Sequence, residues 1–105
     1  MDDKTREVLE LCEKASRQKP ISLKALRNIT GFSAAWVRNV IADLREGGHR
    51  ICSGANGYWV AKDETDYKKF RTYYMAKITR RLARLRAMDN EQPMQVEMEL
   101  KGADF

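Results

Sequence analysis

The chain has 105 residues, with 20 lysines and arginines against 15 aspartates and glutamates, and therefore a net charge of +5 with its histidine neutral. A chain of this length forms one compact domain at most, which argues against the deep two-domain cleft of a large enzyme. Its hydrophobic fraction of 43% is enough for a core and argues against disorder of the whole chain. The basic excess points to an acidic partner, of which nucleic acid is one class.

The charges are distributed unevenly along the chain. Residues 14–62 carry nine basic and two acidic side chains, and residues 67–88 carry eight basic side chains and no acidic one. Residues 89–105 carry one lysine against five acids. We therefore expect a basic folded body and an acidic, mostly disordered tail over residues 90–105. The tail either keeps the chain in solution or competes with phosphate for the basic surface.

Nothing in the sequence marks the chain for export or for a membrane. The N-terminus is polar, and no stretch approaches the roughly 20 apolar residues of a membrane span, so we expect a cytoplasmic protein. Cys12 and Cys52 lie far apart and outside any Cys-x-x-Cys pair, and His49 has no evident nucleophile or carboxylate partner. The sequence predicts no metal, no cofactor and no enzymatic activity, with both cysteines as packing residues.

The first two segments predict helices. Apolar residues recur at three- and four-residue spacing from residue 3 to about residue 17, between acids near the start and bases near the end, as the helix dipole favours. Pro20 stops this first helix. Ser22 is a good N-cap for a short second helix, which ends at Gly31.

A third helix is predicted over residues 34–46, after the N-cap residue Ser33 and before the glycine pair at 47–48. Its apolar side chains share one face, which we expect to point into the core. These inward residues are Val37, Ile41 and Leu44, with Val40 beside them.

A hairpin and a long helix complete the predicted elements. The strands are residues 50–53 and 58–61, and the turn between them either centres on Asn56-Gly57 or spans all four residues from 54 to 57. The last helix begins near the acidic residues 63–66 and runs to about residue 88.

The order of helix, short helix, glycine turn, helix and hairpin is that of a winged helix-turn-helix. Two local motifs are Leu44-Arg45-Glu46-Gly47 at the end of the third helix and Gly57-Tyr58-Trp59-Val60 in the second strand. Residues 23–61 thereby resemble the winged-helix module at the N-terminus of biotin operon repressors and similar bacterial regulators. No ligase domain accompanies the module, so biotin chemistry does not carry over.

The predicted fold is mainly α with a small β-hairpin. The resemblance implies its winged helix-turn-helix, and the long C-terminal helix that follows comes from the residue pattern, because the resemblance does not cover it. The predicted parts are a DNA-binding domain (1–62), a basic amphipathic helix (63–89) and the acidic tail. The resemblance implies that Tyr58 and Val60 point into the core. Trp59, between them, would then point to solvent or pack against the long helix. We expect Trp59 to pack on that helix.

The outward face of the third helix is small and polar, and Arg38 and Asn39 have the chemistry for bidentate contacts to guanine and adenine edges. We expect Trp36 to extend the core against the first helix or the wing. Basic residues of the wing can contact phosphates, and its two glycines would let the backbone approach one closely. The candidate DNA-binding residues are Ser33, Ala34, Ala35, Arg38, Asn39, Arg45, Arg50 and Lys62.

The long helix carries an apolar stripe that a small body cannot cover fully. Three uses remain open for it, namely a dimerisation helix, a phosphate-binding arm and a helix that lies on a membrane surface, of which we favour dimerisation. The candidate dimerisation or partner-binding residues are Tyr67, Phe70, Tyr74, Ile78, Leu82 and Leu85.

The sequence therefore predicts a homodimeric, sequence-specific double-stranded DNA-binding protein, most simply a transcriptional regulator. A small stand-alone winged helix with a basic extension also resembles bacteriophage or mobile-element proteins that bind replication or packaging sites. The alternative from another class is a protein-interaction adaptor that uses the winged helix as a scaffold.

Overall fold

The computed structural model describes residues 1–90, and the chain is mainly α-helical with one small β-hairpin, as predicted. Beyond Asn90, the predicted acidic tail lies outside the described residues. In chain order the elements are α1 (Asp3–Lys14), α2 (Leu23–Thr30), α3 (Ala34–Glu46), β1 (Ile51–Gly54), β2 (Gly57–Val60) and α4 (Glu64–Asp89).

Local capping residues set the starts of the first three helices. Asp2 Oδ1 accepts the backbone N–H of Thr5 at 2.7 Å, and the hydroxyls of Ser22 and Ser33 accept the N–H groups three residues ahead of them at 3.0 and 3.1 Å. Gly31 ends α2 in the left-handed conformation, with φ of 78°. These caps confirm the predicted start and end of α2 and the start of α3.

The first helix is shorter than predicted. It ends at Lys14 because Ala15 adopts an extended conformation. The next residues close a small loop, in which Ser16 accepts the N–H of Lys19 on its hydroxyl and donates its own N–H to the Lys19 carbonyl. This loop turns the chain before α2.

The hairpin pairs Gly54 with Gly57, so the turn spans all four residues, one of the two predicted alternatives. Ala55 and Asn56 lie at its tip, and Asn56 does not adopt a positive φ. Each strand lies one residue closer to the turn than predicted.

The two faces of the hairpin cover two different cores. Tyr58 and Val60 pack on the main core, which the inward residues of α1, α2 and α3 form together with Ile51. On the other face, Trp59 and Cys52 join Ala15 and Phe70 in a second buried cluster. The predicted packing of Trp59 on the long helix is therefore confirmed, since Phe70 belongs to α4.

The chain divides into two compact units, Met1–Phe70 and the part from Arg71 onward. The first unit continues past the boundary expected at Lys62, because the first two turns of α4 complete the second core through Phe70. In the second unit, every α4 residue from Arg71 to Arg84 is exposed.

Candidate nucleic-acid interface

The exposed face of α3 is the candidate interface. The predicted inward residues of this helix are buried, whereas Ala35, Arg38, Asn39 and Ala42 are exposed and Ala34 is half-buried. The predicted division of α3 into an inner and an outer face is thus confirmed except at Arg45, which was expected on the outer face and is half-buried. On the outer face, the hydrogen-bonding side chains of Arg38 and Asn39 lie among the short side chains of alanines.

The two ends of that face differ in charge. No acidic residue occurs in α3 before Asp43, whereas Asp43 and Glu46 are exposed near its C-terminal end. A polyanion would therefore approach the N-terminal half of α3, where Arg38 and Asn39 lie. In helix-turn-helix proteins the same half of the recognition helix contacts the base edges.

Ser33 lies at the start of this face and is exposed. Its oxygen accepts the backbone N–H of Trp36, so the hydroxyl serves as the helix cap. A serine hydroxyl also carries one donor hydrogen, which a phosphate oxygen can accept. Ser33 can therefore cap α3 and contact a phosphate at the same time.

Trp36 extends the core, as expected, but its ring partner is a residue that the sequence did not single out. Its indole stacks on the Phe32 ring, with centroids 4.0 Å apart and planes 20° from parallel. Phe32 precedes the Ser33 cap and is itself exposed. The four-residue spacing of two aromatic residues across a helix start is the signal that could have indicated this pair.

Arg45 is a correction to the predicted DNA-binding set. It is half-buried, its Nε donates to the Ile51 carbonyl at 2.8 Å, and its Nη2 donates to the Ser53 hydroxyl at 3.2 Å. The same guanidinium lies over the Phe70 ring, 5.4 Å from its centroid. Arg45 fastens the end of α3 to β1 and to the second core, so we assign it a structural role.

Arg50 is exposed at the base of the hairpin, as predicted, but it is paired within the chain. Its Nη1 lies 2.5 Å from Glu64 Oε1, and its guanidinium covers the Tyr67 ring at 4.0 Å. The hydrogen bond to Glu64 raises the pKa of Arg50. A phosphate that binds Arg50 must compete with Glu64, and Tyr67 is a half-buried platform for Arg50 in this arrangement.

Lys62 has an exposed side chain beside a hydrogen-bonded carboxylate. Its backbone N–H donates to Asp66 Oδ2 at 3.2 Å, and the same oxygen accepts the indole N–H of Trp59 at 3.1 Å. Arg17 Nε donates to Asp66 Oδ1 at 2.7 Å. Burial would raise the pKa of Asp66, but the hydrogen bonds from Arg17, Lys62 and Trp59 together outweigh burial and lower it.

Packing requires a glycine at position 57 but leaves room for a Cβ at the exposed Gly54, and the phosphate approach predicted for both stays a prediction. A Cβ on Gly57 would lie 2.1 Å from the Ile21 carbonyl oxygen, and a Cβ on Gly54 would lie 3.6 Å from the Trp59 ring. Ile21 and Tyr58 exchange two backbone hydrogen bonds of 2.9 and 2.8 Å. The segment before α2 thus pairs with β2 where Gly57 leaves room for it.

Two basic residues of α2, Lys24 and Arg27, are exposed and were not among the predicted contacts. Leu26 of the same helix is buried, so both basic residues lie outside the part of α2 that packs in the core. In helix-turn-helix proteins the helix before the recognition helix crosses the DNA backbone. Basic residues on its outer side were the available signal.

The predicted partner-binding stripe of α4 is only partly available. Phe70 is 8% exposed and belongs to the second core, so its assignment to a partner interface is wrong. Beyond it, Tyr74, Ile78 and Leu82 are each more than two-fifths exposed, and Leu85 is half-buried. The accessible part of the predicted stripe is therefore the part that follows Phe70.

Comparisons of the chain with protein-family models, with curated proteins and with solved structures find no match. Within residues 1–90, no three His, Cys, Asp or Glu side chains are grouped so as to hold a metal ion. No helix in the same residues combines the length and apolar character needed to cross a membrane.

Proposed function

We propose that the chain binds double-stranded DNA in a sequence-specific way, with α3 as the recognition helix of a winged helix-turn-helix. The observation that carries the proposal is the acid-free N-terminal half of the outer face of α3, on which Arg38 and Asn39 are exposed between short alanine side chains. α3 has 13 residues and is about 20 Å long, and its diameter suits a major groove about 12 Å wide.

Base recognition in this proposal comes from two neighbouring side chains. Arg38 can donate two hydrogen bonds to the O6 and N7 atoms of guanine, and Asn39 can pair with the N6 and N7 atoms of adenine. The small residues Ala34 and Ala35 allow the helix to approach the base edges closely. Each bidentate contact contributes about 1–3 kcal/mol of discrimination between bases.

Phosphate contacts come from the residues around α3. Ser33 at the helix start, Lys24 and Arg27 on α2, and Lys62 after the hairpin are exposed, and Arg50 can join them by exchanging Glu64 for a phosphate. These contacts fix the position of the protein on the duplex and carry no sequence information directly.

A second copy of the chain is the proposed partner, bound through α4 beyond Phe70. A two-fold dimer would present two recognition helices to half-sites about 34 Å apart, which is one turn of the duplex. Within this proposal the protein is cytoplasmic and regulates transcription. Binding to a phage-type replication or packaging site would use the same contacts.

The proposal is tested by fluorescence anisotropy with a labelled duplex at several salt concentrations. The chain should bind the duplex at low salt. As salt is added, the logarithm of the association constant should fall linearly with the logarithm of the salt concentration, with a slope of about −0.9 for each phosphate contacted. Arg27→Ala should reduce that slope by about one contact. Arg6→Ala, which removes an exposed arginine of α1, is the control and should leave it unchanged. An absence of binding at low salt contradicts the proposal.

A protein-interaction adaptor is the second candidate function, and the exposure of Ile78 and Leu82 favours it. An adaptor would bind a defined protein through these residues. Its binding would be lost on Ile78→Asp and would tolerate Arg38→Ala and Asn39→Ala. DNA binding would respond in the opposite way to the α3 substitutions.

A further inference from the structure

An apolar strip on the second unit lies among cations. We define the distal stripe as Ile78, Leu82 and Leu85, whose spacings of four and three residues place them on one face of α4. Ile78 is 44% and Leu82 is 42% exposed. Arg81 is three residues from Ile78 and four from Leu85, so its guanidinium borders the same strip.

The positive charge around the distal stripe favours an occupant that carries acidic residues. Residues 67–88 contain no aspartate or glutamate, so Arg81 finds no carboxylate on the adjacent turns of its own helix. A second copy of α4 would bring a further acid-free helix against the first, and like charges in such proximity oppose association. An apolar segment that carries acidic residues suits the strip better.

The chain itself contains such a segment, immediately after α4. Between residues 94 and 100, apolar residues alternate with polar or acidic ones, and an extended chain would place the two kinds on opposite sides. The apolar residues of this segment are Met94, Val96, Met98 and Leu100. The residues that alternate with them are Gln95, Glu97 and Glu99.

The segment is long enough to return along the helix. Three residues, from 91 to 93, separate it from Asn90, and Pro93 suits a turn. Seven extended residues span roughly 23 Å, whereas Ile78 and Leu85 are about 10 Å apart along the helix axis. A chain that reverses after α4 can therefore cover the whole distal stripe.

We propose that residues 94–100 dock on the distal stripe of the same chain, with their apolar side chains on Ile78 and Leu82 and with Glu97 and Glu99 near the surrounding arginines. The docked segment covers the surface through which a second copy would bind. Release of the segment then precedes dimerisation, and the segment regulates assembly of the DNA-binding dimer. Docking itself requires no DNA and stands or falls separately from the proposed function.

The test uses methyl NMR on the full chain, labelled with ¹³C at methionine, isoleucine and leucine methyl groups. Nuclear Overhauser effects (NOEs) between the methyl groups of Met94 or Met98 and those of Ile78 or Leu82 are expected. Val96→Asp should abolish them, and Gln95→Asp, which adds the same charge on the opposite side, should preserve them. An absence of these NOEs in the wild-type chain overturns the proposal.

Mixing labelled with unlabelled chains shows which chain supplies the segment. NOEs confined to labelled chains support docking within one chain, and NOEs between labelled and unlabelled chains overturn it. Sedimentation then measures the dimer dissociation constant. If the segment is docked in nine-tenths of the chains, only about one-tenth of the stripes are free to pair. Val96→Asp frees the rest and should lower the dimer dissociation constant about tenfold for each of the two stripes that must be uncovered. Equal dimerisation of Val96→Asp and Gln95→Asp contradicts the regulatory part.

Discussion

Gly57 lies against the backbone of Ile21, so closely that a Cβ on Gly57 would be 2.1 Å from the Ile21 carbonyl oxygen and 2.5 Å from its carbonyl carbon. Its φ of 143° is also one that other residues rarely adopt. The two backbone hydrogen bonds between Ile21 and Tyr58 hold this approach in place. The hairpin and the segment before α2 are thus coupled at one residue.

Replacing Gly57 with alanine should separate these two segments. We expect Gly57→Ala to lower the free energy of unfolding by about 3 kcal/mol or more, because it combines a backbone clash with an unfavourable φ. Gly54→Ala is the matched control in the same turn and should change it by less than about 1 kcal/mol, since its Cβ meets Trp59 at an ordinary distance. Urea denaturation measures both, and equal effects would contradict the coupling.

Asp66 gathers three separate parts of the first unit through its side chain. Asp66→Ala should cost about 2–3 kcal/mol of stability, because the Trp59 indole N–H and Arg17 Nε lose their acceptor, although Arg17 Nη2 keeps the backbone carbonyl of residue 66. The control is Glu10→Ala, which removes an exposed carboxylate from α1. Thermal and urea unfolding measure the difference, and similar losses in both variants would show that Asp66 does not hold these parts together.

The same carboxylate gives the stability a defined pH dependence. The folded-state pKa of Asp66 lies below the 3.8 of an ordinary aspartate, so its contribution is complete above that value and is lost as the pH falls through the folded pKa. The advantage of wild type over Asp66→Asn should therefore shrink between about pH 5 and pH 2. Denaturant midpoints across this range test it, and a constant advantage contradicts the lowered pKa.

Arg38 and Arg45 are both on α3, but Arg38 is exposed, whereas Arg45 is half-buried and hydrogen-bonded to β1. Arg45→Ala should cost about 2 kcal/mol of stability, since its hydrogen bonds to the Ile51 carbonyl and the Ser53 hydroxyl are lost. Arg38→Ala should change stability by less than about 0.5 kcal/mol, because Arg38 is exposed. Unfolding curves of the two variants decide the matter, and the reverse order would contradict the assignment.

Features that depend on residues close together in the sequence could be predicted, whereas contacts between distant segments could not. The starts of α2 and α3 could be predicted from Ser22 and Ser33, because each serine hydroxyl accepts the backbone N–H only three residues ahead of it. The partners of Arg45 and Arg50 within the chain could not be predicted, since they depend on where the hairpin and α4 pack. Phe70 and Ile78 belong to the same apolar stripe of α4, so their spacing does not distinguish them. Phe70 is buried because the hairpin residues Trp59 and Cys52 pack against it, whereas Ile78 is exposed.

The two cysteines provide a probe of the folded state. Burial raises the pKa of the Cys12 thiol to about 12 and that of Cys52 to about 11, so almost no reactive thiolate is present near pH 8. Iodoacetamide should label both residues slowly in the native protein and rapidly in urea, as mass spectrometry can follow. Rapid labelling of the native protein at either cysteine would contradict its burial.

Sequence-specific recognition by α3 is tested most directly by selecting duplexes from a random pool and comparing the best duplex with a scrambled one. Wild type should bind the selected duplex at least about 10³-fold more tightly. Arg38→Ala or Asn39→Ala should reduce this ratio about tenfold or more and leave affinity for the scrambled duplex within a few-fold. A pool without enrichment, or a ratio unchanged by both substitutions, would contradict recognition through α3.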